Sequence, residues 1–178
     1  DRRSSRLRLG RCDAPGTARR RSGHRHRRSG RLKAFSTGRP LPGHPAKNVR
    51  EAIEELGAER IGHGVRILED DYTVRLARDR KTTLEVCVTS NVQSGVVTGV
   101  EKHPLMNLMQ NNLNATINTD DPSVSRITLS HEYRVICTEL GVSADVLKAR
   151  IVAAAQAAFL NEKDKKELVK NVKKELKL

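Results

Sequence analysis

The sequence predicts an α/β chain built on a parallel sheet. Three observations carry that reading. From about Asn48 onward, strand-like and helix-like stretches alternate, the pattern of successive βα units. Polar residues cluster where the expected strands end, at His63, Ser90-Asn91 and Asp120-Asp121, and α/β barrels and open sheets place their chemistry at those ends. Three βα units are too few to close an eightfold ring. The chain therefore reads as the C-terminal half of a (β/α)8, TIM-type barrel over residues 47–178, preceded by a basic segment over 1–46.

The first element is a helix. Val49, Ala52, Ile53 and Leu56 fall at i, i+3, i+4 and i+7, and Gly57 stands where a helix C′ residue belongs. Arg60-Ile61-Gly62-His63-Gly64-Val65 reads as a short strand entering a loop, and a second helix is expected over about 71–80. Leu84 to Val88 is a strand ending at Thr89-Ser90-Asn91. A helix follows near Pro104 to Asn111, with Leu105, Leu108 and Met109 on one side. Ala115 to Asn118 is the third strand, ending at Thr119-Asp120-Asp121-Pro122. Arg126 to Leu140 carries a helical stripe of Leu129, Tyr133, Ile136 and Leu140, closed by Gly141. Ser143 is an N-cap candidate for a helix through Leu147, Ile151, Ala155 and Phe159. A last helix aligns Leu168, Val172 and Leu176, with its lysines as a solvated face.

Charge divides the chain in the same place. The 178 residues carry a net +13, but residues 1–50 hold 16 Lys+Arg against two acids, and residues 51–178 hold 18 against 19. Residues 1–46 also hold six of the 12 glycines and four of the six prolines, and their large apolar residues follow no period. Such a segment buries too little apolar surface to offset its ordering entropy, so disorder is expected. A solvated tail, a phosphate-binding arm and GC-rich codons read out of frame all fit its composition. A nucleic-acid role is disfavoured, because no aromatic residues interleave the arginines as stacking platforms.

No stretch reaches the roughly 18 apolar residues of a membrane span, and no apolar signal region is recognised. Three widely spaced cysteines argue against a disulfide framework and for a reducing, cytoplasmic setting. Several motifs are decoys. His24-Arg25-His26 lacks an apolar strand around it, and His131-Glu132 is followed by Val135 where a zinc-binding H-E-x-x-H needs His.

Two candidates remain. His63 lies between glycines at a strand end, where Gly permits close approach of backbone or ligand. Asp120-Asp121 follows an apolar strand, and two adjacent carboxylates there need a partner or a cation. One could reach a metal while the other bonds a substrate; the competing reading of the doublet is a helix N-cap before Pro122.

Ala58 to Gly64, Leu84 to Asn91 and Asn118 to Pro122 resemble, in order, the C-terminal motifs of the adenosine deaminases. His103-Pro104-Leu105, Thr128-Leu129-Ser130 with Glu132-Tyr133, and Ala157 to Leu160 extend the resemblance over about 48–178. It implies a zinc-dependent hydrolytic deaminase that converts adenosine or deoxyadenosine to the inosine nucleoside and ammonia, with a nucleoside as its small-molecule partner. By the resemblance, Asp120 ligates zinc and touches the attacking water, Asp121 bonds the purine, and His63 orients the water. Zinc would lower that water's pKa from about 15.7 to roughly 7. The family's H-x-H pair and its H-A-G-E motif have no match; Gly38 to Pro45 stands where the latter belongs, and His44 is not followed by the needed Glu. Only Asp120 matches the protein ligands of the metal, so this chain by itself is expected not to turn over.

Overall fold

The computed structural model describes residues 27–28, 31–32, 34–36 and 45–178. The expectations for the remainder of 1–46, including His24, His26 and His44, lie outside the described residues. Two short strands, β1 (Arg27–Arg28) and β2 (Arg31–Leu32), pair antiparallel. The main sheet has four parallel strands in the order β3 (Ala34–Ser36), β4 (Arg60–Gly62), β5 (Thr83–Val86) and β6 (Asn114–Ile117). Strand β3 is an addition to the expected three: it pairs with β4 inside the segment read as irregular. Three residues are too few to show an alternation, and backbone pairing to a free edge requires none.

Helix α1 (Pro45–Glu54) connects β3 to β4, and Val49, Ala52 and Ile53 are its buried stripe. Gly57 then reverses the chain at φ 61°. After β4 a 3-10 turn over Val65–Glu69 leads to α2 (Asp71–Asp79), capped by the Asp70 carboxylate on the Thr73 N–H. The expected run of strand to Val88 is shorter. β5 ends at Val86, and Val88–Gln93 is helix α3. The backbone N–H groups of Val88 and Thr89 turn to the buried Glu132 carboxylate, at 3.0 and 3.2 Å, instead of continuing the ladder. Helix α4 (Leu105–Gln110) precedes β6.

Beyond β6, the helix expected from Arg126 to Leu140 spans Leu129–Thr138, and a short helix not expected precedes it. Pro122–Ser125 forms α5, Arg126 breaks it at φ 54°, and α6 (Leu129–Thr138) starts at the Thr128 cap. Ser143 caps α7 (Ala144–Gln156) as expected, but Phe159 lies past the helix, its ring 4.7 Å from the Arg60 guanidinium. α8 (Glu162–Glu175), capped by Asn161, packs on α7, and Leu168, Val172 and Leu176 are half-buried.

The in-register pairing sorts side chains into rows. Ile61, Leu84 and Ala115 form one row, with Val86 and Ile117 beside it, all in the core with residues of α1, α2, α4 and α6. The alternate rows are Arg60, Thr83, Asn114 and Gly62, Glu85, Thr116. Successive strand residues face opposite sides, so the second set lines the side away from this core. Asn114 donates to Thr83, Asn118 to Thr116, and Arg60 pairs with Glu85.

Candidate active site

Chain direction sets the site. All four strands of the main sheet run parallel, so the segments after β4, β5 and β6 gather at one edge. His63 comes directly after β4, and its backbone N–H still bonds Glu85 O at 2.8 Å. It then turns into the left-handed region at φ 63°, followed by Gly64 at φ 66°. A Cβ on Gly64 would sit 3.0 Å from Leu84 Cδ2 and 3.2 Å from Ile61 Cγ2, so the second glycine of the G-H-G is required by packing as well as by φ. Asp120 follows β6 at φ 62°. Two non-glycine residues held at positive φ, both at strand ends, are the kind of local strain that collects at functional sites.

These turns bring His63 Nε2 and Asp120 Oδ2 to 3.6 Å. Gly62, His63, Glu85, Cys87, Asn118, Asp120 and Leu129 line a cavity of about 390 Å³ there. His63 is buried and Asp120 is about half exposed. Burial lowers the proton affinity of the His63 ring, opposed by the charges of Asp120 and Glu85. Burial, aided by Asp120, Glu132 and Glu85, pushes the Cys87 thiol well above its ordinary value. Cys87 is thus a protonated wall of the cavity, since the thiolate is the nucleophilic form.

Asp121 is placed differently from its neighbour. Its Oδ1 accepts the Ser123 and Val124 N–H groups at 3.0 and 3.2 Å, the N-cap arrangement of α5. It is not among the cavity-lining residues.

Three further side chains complete the site, and the sequence singled out none as a site residue. Ser90 Oγ donates to Asp120 Oδ2 at 2.8 Å. Asn91 lies between two histidines, its Nδ2 3.2 Å from His63 Nδ1 and its Oδ1 3.1 Å from His103 Nε2. Burial lowers His103 to a pKa of about 4, so its ring is neutral at pH 7. The polar Ser-Asn pair after an apolar strand and the His before Pro104 were the available signals.

The donor set fits a resident zinc only in part. Asp120 offers one carboxylate, and among the described residues no group of three or more His, Cys, Asp or Glu side chains can hold an ion. One carboxylate falls short of the three or four protein ligands of a zinc site.

A parallel sheet with imidazole and carboxylate converging beyond its C-terminal ends defines a segment of an α/β-barrel enzyme. The profile of the adenosine deaminase family matches residues 42–175, and the chain belongs to that family of hydrolases. It is 42% identical over 125 residues to an adenosine deaminase of Pseudoalteromonas translucida, covering 70% of this chain and 37% of that protein. The chain thus spans under two-fifths of the length of the curated relatives it matches. An adenine deaminase structure from Arthrobacter aurescens superimposes with a TM-score of 0.75 at 26% identity, covering 83% of this chain and 44% of that one. A zinc-bound amidohydrolase from Burkholderia ambifaria gives 0.72 at 20% identity over 82% of this chain and 41% of that one, a likeness of fold.

Proposed function

We propose that this chain supplies the His63–Asp120 wall of a site for hydrolytic deamination of adenosine or deoxyadenosine. The observation that supports the reading is the approach of His63 Nε2 and Asp120 Oδ2 in the cavity wall, both within the segment matched by the family profile. Adenosine and water give inosine and ammonia: a C–O bond forms at the amine-bearing carbon of the purine and the C–N bond breaks. In this reading the attacking oxygen sits beside the pair, within reach of both: His63 donates to it and Asp120 accepts from it. Asp121 keeps the purine-contacting role as an expectation, through the oxygen not committed to capping α5. Zinc is the family's implied cofactor. Asp120 would be one of its ligands, and the described residues do not complete the set.

The test is a chimera joining the N-terminal part of the Pseudoalteromonas translucida enzyme to residues 45–178. Loss of adenosine absorbance with inosine formation is expected, together with its abolition by Asp120→Ala. A folded, zinc-loaded chimera without turnover overturns the proposal. The chain alone is expected to show no turnover.

A further inference from the structure

We propose that Asn91 and His103 are positioning residues that decide which nitrogen of His63 carries hydrogen, so that Nε2 presents an N–H donor to the cavity. The network has one end of fixed polarity. The backbone N–H of Leu105 can only donate, and it meets His103 Nδ1 at 3.1 Å. His103 is buried and neutral, so with Nδ1 accepting, its hydrogen is on Nε2. That hydrogen points at Asn91 over 3.1 Å, which fixes the Asn91 oxygen toward His103. The other end of the amide is an NH₂, and it faces His63 Nδ1 at 3.2 Å. His63 Nδ1 must accept, and the hydrogen of the neutral ring is on Nε2, 3.6 Å from Asp120 Oδ2.

Asn91 is 1% exposed and His103 is 5% exposed, so water has little access to substitute for a wrong partner. A backbone amide at the start of α4 therefore sets the tautomer of a ring after β4 through two side chains. The consequence is chemical. An Nε2–H ring offers a hydrogen bond to an oxygen gaining negative charge beside His63 and Asp120, and it has no lone pair on that nitrogen with which to take a proton. The use of this donor in turnover rests on the deaminase reading, whereas the tautomer does not.

The test is nitrogen NMR of the full chain with labelled histidine, the His63 signals being those lost in His63→Gln. A pyridine-type Nδ1 and a pyrrole-type Nε2 on His63 are expected. A pyrrole-type Nδ1 overturns the proposal without any further variant. Asn91→Asp replaces the donor facing His63 with an acceptor and should move hydrogen onto Nδ1; an unchanged His63 spectrum overturns the proposal. His103→Gln retains a distal N–H and should keep the parent signature, whereas His103→Leu should give a mixture of tautomers. The same His63 spectrum in both variants counts against His103. In the chimera, Asn91→Asp should lower kcat at least about tenfold with little change in KM. A chimera that never turns over overturns the deaminase reading and leaves the nitrogen spectra standing.

Discussion

The two sides of the main sheet are built on opposite principles. One presents Ile61, Leu84, Val86, Ala115 and Ile117 to the helices, and all but Ile117 are fully buried. The other presents Arg60, Thr83, Glu85, Asn114 and Thr116, joined by side-chain hydrogen bonds and an ion pair. Hydrocarbon packing is non-directional and tolerates exchange of shape at constant volume. Hydrogen bonding is directional, and a buried group left unpaired costs far more than a pair contributes. The polar side leads up to the His63–Asp120 edge.

Directionality predicts that the largest effect comes from a polar residue inside the apolar side. Glu132 is fully buried, and its carboxylate holds the Val88 and Thr89 N–H groups. Glu132→Ala leaves both donors unpaired beside a cavity and should cost about 4 kcal/mol in urea unfolding. A cost near that of a surface substitution would break the comparison.

Next comes pH. The folded pKa of His103 lies below the unfolded one, at about 4 against 6.5, so only the unfolded chain gains this proton as pH falls. The stability is complete above about pH 6.5 and is lost progressively down to about pH 4, by about 3 kcal/mol. His63, lowered by burial, adds in the same direction. Urea midpoints at pH 7.5 and 4.5 measure the loss, and His103→Gln should flatten it.

The direct comparison of faces is a pair of variants. Leu84→Ala should cost about 3 kcal/mol, and Thr116→Val, which keeps shape and loses bonds to Asn118 and Leu84 O, about 1 kcal/mol. Equal costs would erase the distinction. The smallest effect is Asp121→Ala, at about 1 kcal/mol or less through loss of the α5 cap. Asp120→Ala has no cap to lose, so thermal unfolding should separate the two neighbours.

Much of this was readable locally. The stripes Val49-Ala52-Ile53 and Leu105-Leu108, the caps at Ser143 and Gly57, and the strand ends at His63 and Asp120 follow from periodicity and from turn chemistry within a few residues. Strand β3 was not readable, because its partner is a distant backbone edge. The helix at Val88 was also hidden: its first N–H groups are satisfied by Glu132, 44 residues later. Asn91 after an apolar strand and His103 before Pro104 are marked locally only by position; their pairing appears once the fold places them 3.1 Å apart.

The amino-acid order alone determined the alternation of strands and helices, and with it the edge where chemistry gathers, because those depend on neighbours within one turn or one pleat. Only the folded chain decided that Asp120 faces the cavity while Asp121 closes a helix, and that His63 is oriented through Asn91. Asp121 caps within three residues, but the bonds Ser90–Asp120, Asn91–His63 and His103–Asn91 join residues 30, 28 and 12 apart, which chain spacing does not encode.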